Sequence, residues 1–140
     1  MGMQVERREI DGIVILGLDG RLVLGPAVSQ VQKELDDLLA KGQTRAILDL
    51  KRVPFIDSSG LGTLVAGHSA FEKARGAMRL LHVSQRNIEL LVLTKLSTVF
   101  HCFDDEQAAI DSFFPEREAK RFDILEFVKS QDTTDTSNGS

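Results

Sequence analysis

The sequence predicts a single α/β domain: a mixed, mostly parallel sheet of four to five strands packed with about four helices, followed by a C-terminal extension. Three observations predict it. Short β-branched apolar runs alternate with longer segments whose apolar residues recur at helical spacing, the pattern of strand–helix–strand units. Asp11-Gly12 separates two strand-like runs near the start, a hairpin signal, so at least one pair is antiparallel. The chain has 140 residues, of which 42% are hydrophobic and 27% charged, enough for one core without a disulfide or metal staple.

Ile13-Val14-Ile15-Leu16-Gly17-Leu18 reads as a strand covered on both faces, with Val5 to Ile10 as its antiparallel edge partner. Gly25-Pro26 opens a first helix, because proline at the first helical position lacks only an amide that would have no intrahelical acceptor. Val28, Val31, Leu35, Leu38 and Leu39 form its apolar stripe, and Lys41-Gly42 closes it. Ala46 to Leu50 is the next strand. A second helix carries Leu61, Leu64, Val65, His68 and Phe71 on its inner face and stops at Gly76. Met78 to Val83 is a third core strand. Ser84 then caps a third helix marked by Ile88, Leu91, Val92 and Leu96. Val99 to Phe103 is the expected last strand, and Asp104, with Gln107 three positions on, is the expected start of a fourth helix.

Phe114-Pro115 ends the domain, giving a division into residues 1–115, an amphipathic extension at 116–129 and a disordered tail at 130–140. The extension has four acidic and four basic residues around Phe122, Ile124, Leu125, Phe127 and Val128, so it is expected to dock as a helix on its own domain or on a second copy, giving a homodimer. The last eleven residues are polar or glycine and bury too little apolar surface to order themselves.

Composition removes several functions. The longest apolar run, Ile13 to Leu18, is far short of the roughly 20 residues that span a bilayer, and no basic start precedes an apolar core as in a signal peptide. Met1-Gly2 is not a myristoylation start, because Glu6 stands where serine or threonine is needed. The single cysteine, Cys102, is expected to be a buried, unreactive thiol, which fits a reducing compartment and makes the cytosol the default. His68, His82 and His101 lack metal-ligand spacing, and each is expected to be packed in the core rather than to act as a general base. Net charge is −4, with basic residues in pairs at most and no Trp or Tyr, which argues against direct nucleic-acid binding.

In parallel α/β sheets, sites gather beyond the carboxyl ends of the strands. The unusual loop there is Phe55-Ile56-Asp57-Ser58-Ser59-Gly60-Leu61-Gly62, which leads into the second helix. Its local chemistry has two readings. Asp-Ser-Ser before a helix is an ordinary N-cap. It is also a place where a phosphate on serine is accommodated by free amides and the positive end of the helix dipole. A hydrolase elbow, Gly-x-Ser-x-Gly, is absent, since Ile56 stands where the first glycine belongs, and there is no phosphate loop, since Thr63-Leu64 follows Gly62. The chain is therefore expected to be neither an enzyme nor a tight binder of ATP or GTP, and no cofactor is expected.

Leu48-Asp49-Leu50 and then Val53-Pro54-Phe55-Ile56-Asp57-Ser58-Ser59-Gly60-Leu61-Gly62 resemble the signature of bacterial anti-sigma factor antagonists of the STAS domain family. The resemblance runs from about Val5 to Phe114 and includes the Gly20 turn before the first helix. It implies a mixed sheet with helices packed against it. It also implies that Ser58 is the phosphoacceptor, with Asp57, Ser59, Gly60, Leu61, Gly62 and Arg21 in the partner-binding surface. The implied partners are an anti-sigma factor that is also a serine kinase, and a serine phosphatase that resets the switch. A constitutive scaffold or transport-accessory protein of the same family is the alternative, and a small nucleotide sensor a third. The chain departs from the family where Val23 and Leu24 follow Gly20-Arg21-Leu22, since members often carry an acidic residue there.

Overall fold

The computed structural model describes residues 2–117. Two units are distinguished, Met1–Ile110 and Asp111–Ser140, and each is described by itself. In the first, the elements are β1 (Gln4–Ile10), β2 (Ile13–Asp19), α1 (Pro26–Ala40), β3 (Arg45–Arg52), α2 (Ser58–Lys73), β4 (Ala77–Leu81), α3 (Gln85–Leu93) and β5 (Cys102–Phe103), with α4 (Glu106–Asp111) reaching the boundary. The five strands lie in chain order, β1-β2-β3-β4-β5. The β1–β2 hairpin is antiparallel and all later pairs are parallel, so the mixed sheet expected from the hairpin signal is observed. Asp11 and Gly12 both take positive φ, as the tight turn requires.

Strand alternation sorts the apolar residues onto two faces. Val14, Leu16 and Leu18 of β2, Ala46, Leu48 and Leu50 of β3, and Met78 and Leu80 of β4 belong to one cluster with Val31, Leu35 and Leu38 of α1 and Leu64 and Phe71 of α2. On the opposite face Ile13, Ile15 and Ile47 are also buried. Arg8 stands opposite Ile15 in the hairpin and donates from its Nη1 and Nη2 to the two carboxylate oxygens of Glu106, which sets α4 on that second face, where its Ala109 and Ile110 are buried. β1 is one of the sheet's two edge strands and carries Glu6-Arg7-Arg8-Glu9 along it, exposed.

Several expectations are corrected. The last strand is only Cys102–Phe103, because Val99 and Phe100 lie in a turn whose amides both donate to the Leu96 carbonyl. The third core strand stops at Leu81, since His82 takes φ 58° and the chain turns there. α3 ends at Leu93, and Val92, placed on its inner face by spacing, is 57% exposed. Asp105 rather than Asp104 caps α4, accepting from the Ala108 amide at 2.8 Å. Cys102 is exposed, not buried, although partial desolvation raises its thiol above the ordinary range. Of the histidines, His68 is half-buried against Phe100, but His82 is partly open beside Asp49 and His101 is exposed. Ser84 does cap α3 as expected, accepting from the Asn87 amide at 3.2 Å.

In the second unit, Phe114 donates its amide to the Asp111 carbonyl, while Arg117 pairs with Asp111 at 3.4 Å and stacks over the Phe114 ring. Beyond Glu116 and Arg117, the expected helical extension at 116–129, its dimer contact and the expected tail at 130–140 lie outside the described residues.

Candidate functional site

Three loops meet at the carboxyl ends of β2, β3 and β4: 20–25, 53–57 and 82–84. The first two are laced together by backbone. Leu22 donates to the Phe55 carbonyl at 3.0 Å, Asp57 donates to the Leu22 carbonyl at 3.2 Å, and Gly20 donates to the Arg52 carbonyl at 3.0 Å. Leu22 and Ile56, both buried, form an isolated parallel bridge at the centre of this lacing. The apolar pair anchors the loops in the core and leaves their polar residues at the rim.

Asp57 is the N-cap of α2. Its Oδ1 accepts from the Gly60 amide at 2.8 Å and its Oδ2 from the Leu24 amide at 3.0 Å. One carboxylate therefore caps the helix and holds the neighbouring loop. The Gly60 amide foremost, and the Leu24 amide after it, lower its pKa, because both donate to the charged form. Asp57 is thus an anion at neutral pH.

Ser58 is the first residue of α2 and is exposed; Ser59 is half-buried beside it. Gly60 and Leu61 are buried and shape the loop from below. Gly60 must be glycine here: a Cβ would overlap the Leu22 carbonyl oxygen outright and sit 2.9 Å from Leu22 Cγ. Gly62, two residues on, faces open space. The residues expected at the site are therefore brought together, but in two layers. Arg21, Ser58, Ser59 and Gly62 reach the surface or its margin, while Gly60 and Leu61 support them. Leu24, 75% exposed, stands at one edge of a groove of about 400 Å³ between α1 and α2, lined also by Val28, Leu35, Ser59, Gly62 and Ala66.

At this end Arg86 was not singled out from the sequence, and Phe55 was read only as part of the loop and signature, not as a site residue. The Phe55 ring has the Arg21 guanidinium 5.1 Å and the Arg86 guanidinium 4.8 Å from its centroid. Arg86 is held there by its neighbour: buried Asn87 donates its side-chain amide to the Val53 carbonyl at 3.0 Å, pinning the start of α3 to the loop after β3. Phe55 and Arg86 are 31 positions apart in the chain, and no local pattern connects them. The one available hint was the arginine in the first turn of a helix that follows a core strand. Among the described residues no group of three or more His, Cys, Asp or Glu side chains could hold a metal ion, and no helix is long and apolar enough to cross a membrane.

Comparison with known proteins agrees with this geometry. An anti-sigma F factor antagonist of Paenibacillus polymyxa is 28% identical over 111 residues, covering 79% of this chain and 94% of that protein. The fold matches that of tm1081 from Thermotoga maritima with a TM-score of 0.74 at 24% identity, covering 78% and 93% of the two chains. It also matches the Bacillus anti-sigma factor antagonist SpoIIAA, whose structures are known unphosphorylated and phosphorylated. Those give TM-scores of 0.60 and 0.62 at 26% identity, covering 79% of this chain and 96% and 97% of theirs. The family model of the STAS domain spans residues 4–109, from the hairpin through the Asp57–Gly62 loop into α4, and the chain belongs to that family.

Proposed function

We propose that this protein is an anti-sigma factor antagonist whose binding to an anti-sigma factor is switched by phosphorylation of Ser58. The observation that carries the reading is the exposed Ser58 at the start of α2, directly after a capping aspartate whose two oxygens are already committed to backbone amides. A phosphate on Ser58 adds a charge of about −1.5 to −2. The helix start accommodates it, because the dipole there is positive and amides of the first turn lack intrahelical acceptors. The surface changes far more than the fold. Asp57 remains ionised beside the new group, so an acidic side chain on the partner meets two anions where it met one. Two unit charges about 4 Å apart at an effective dielectric of 20 repel by about 4 kcal/mol, and even a third of that is a tenfold loss of affinity.

On this reading the unmodified form, with Asp57, Ser59, Gly62 and Arg21 around Ser58, binds an anti-sigma factor that is also a serine kinase, and so frees a sigma factor. A serine phosphatase restores it. All of these partners work in the cytoplasm. The kinship with the antagonists of Paenibacillus and Bacillus supports the partner class, and the existence of a phosphorylated SpoIIAA supports the chemistry.

The test offers wild type and Ser58→Ala to the cognate kinase with labelled ATP. Labelling of wild type alone is expected, with binding retained by Ser58→Ala and weakened by Ser58→Asp in a domain that stays folded. Undiminished labelling of Ser58→Ala moves the site to Ser59 or elsewhere. No labelling of either protein overturns the switch in favour of a constitutive scaffold.

A further inference from the structure

We propose that Arg21, Phe55 and Arg86, with the apolar groove beside them, dock an acidic segment of the anti-sigma factor that also carries an apolar side chain. The proposal rests on the reading above in taking that protein as the occupant, and it adds the chemistry of the contact.

The two guanidinium groups are conspicuous for what they lack. Arg7, Arg8, Arg52 and Arg117 each pair with a carboxylate, but among the described residues Arg21 and Arg86 pair with none. Both converge on one ring, which puts two positive charges within about 10 Å of each other on a chain of net charge −4. An arginine resting on an aromatic ring has its orientation fixed while its N–H donors stay available for a carboxylate. The nearby acids do not fill that role. Asp57 gives both oxygens to backbone amides, and Glu89, which lines the same groove, receives the Gln85 side chain.

The groove adjoining Arg86 supplies the apolar half. Its volume is about 230 Å³, and Phe55, Ile56, Leu90 and Leu93 line it with Asn87 at its base. Leu93 is 80% exposed at the lip, an aliphatic side chain that no described residue covers. A strand of nucleic acid shares the anionic chemistry, but it offers no match for the aliphatic lip, and two arginines on an acidic protein are too few for counterion release to drive binding. A protein segment with glutamates or aspartates on one side and a leucine or phenylalanine on the other satisfies both halves.

The test uses the ¹⁵N-labelled full chain and three probes: a helix-forming peptide with leucines on one face and glutamates on the other, the same peptide with lysine for every glutamate, and a single-stranded oligothymidine. The glutamate peptide is expected to shift the amides of Phe55, Arg86 and Leu93 and to bind about tenfold more tightly than the lysine peptide at low salt, with the preference fading at high salt. Because the whole chain is acidic, non-specific attraction favours the lysine peptide, so a preference for glutamate reports the local surface. Arg21→Glu with Arg86→Glu is expected to reverse the preference, its otherwise unchanged spectrum reporting an intact fold. Leu93→Ser is expected to weaken both peptides.

Equal binding of the two peptides, no binding, tighter binding of the lysine peptide or oligothymidine, or shifts confined to other residues each overturns the proposal. None of these probes involves phosphorylation. An acidic surface refuted here leaves the Ser58 labelling result standing, and an unlabelled Ser58 leaves a positive peptide result standing.

Discussion

Gly60 and Gly62 allow the same chemical change to be made twice, two residues apart in one helix, with opposite expected outcomes. At Gly60 a methyl group overlaps the Leu22 carbonyl oxygen and lies 2.9 Å from Leu22 Cγ, where ordinary contact begins at 3.4 Å. Leu22 cannot step aside freely. Its amide donates to Phe55, its carbonyl accepts from Asp57, and its side chain is fully buried. Relief therefore requires giving up one or both hydrogen bonds, at about 1 kcal/mol each, or accepting overpacking of about 1–3 kcal/mol. Against this stands a gain of up to about 1 kcal/mol from replacing glycine by alanine in a helix. The net expectation for Gly60→Ala is a destabilisation of about 1–2 kcal/mol. At Gly62 nothing lies within 4 Å of the added carbon, so only the helical gain remains. Denaturant unfolding of wild type and both variants, with the slope unchanged, reads the two midpoints directly. For a domain near 100 residues the Gly60→Ala melting temperature falls by roughly 10 °C, while that of Gly62→Ala rises by a few degrees. A Gly60→Ala variant as stable as wild type would refute the reasoning, because the lacing between the two loops would then be slack.

Asp57→Asn keeps an acceptor for Gly60 but loses one of the two amide contacts, so its melting temperature is expected between wild type and Asp57→Ala. The folded-state pKa of Asp57 is lowered, so its contribution is fully present above the unfolded value of about 3.9 and fades as pH falls through the folded one; Asp57→Asn should flatten the acid limb of a stability–pH curve. Arg8 and Glu106 form a two-pronged but partly exposed pair, so a double-mutant cycle is expected to give about 0.2–1 kcal/mol, shrinking in high salt. The Cys102 thiol is raised by partial desolvation, so maleimide labelling of the native protein at pH 7 should be slower than that of a free cysteine and should accelerate as pH rises.

The local signals in the sequence carried far. Asp11-Gly12 announced the hairpin, Gly25-Pro26 the start of α1 and Ser84 that of α3, because each is a contract between neighbours in the chain. Where the outcome is decided by distant residues, the reading slipped. Val99 and Phe100 look like strand, but Phe100 gains its burial from a turn, with its ring edge-on to His68 of α2. Val92 fits the helical stripe of α3, yet nothing lies over it in the first unit. The Asp57-Ser58-Ser59-Gly60 loop was legible as a helix start. Its tie to Leu24, and the meeting of Arg21 and Arg86 at Phe55, join residues at least 31 positions apart and were not.

The agreement between strand order and chain order has a consequence for how the molecule is made. Each strand pairs with the one synthesised just before it, so no gap in the sheet ever waits for a later segment to be threaded into it. The β1–β2 hairpin closes over a two-residue turn, and β3, β4 and β5 then join in succession across crossovers that carry their own helices. Loop-closure entropy is met in modest instalments, which favours fast folding and assembly from the N-terminus as the chain leaves the ribosome. Only α4, whose Glu106 returns to Arg8 of β1, has to span nearly the whole length of the unit. That closure ties β1 to α4, so β1, already paired along its length with β2, gains this second anchor only when synthesis of the unit is almost complete.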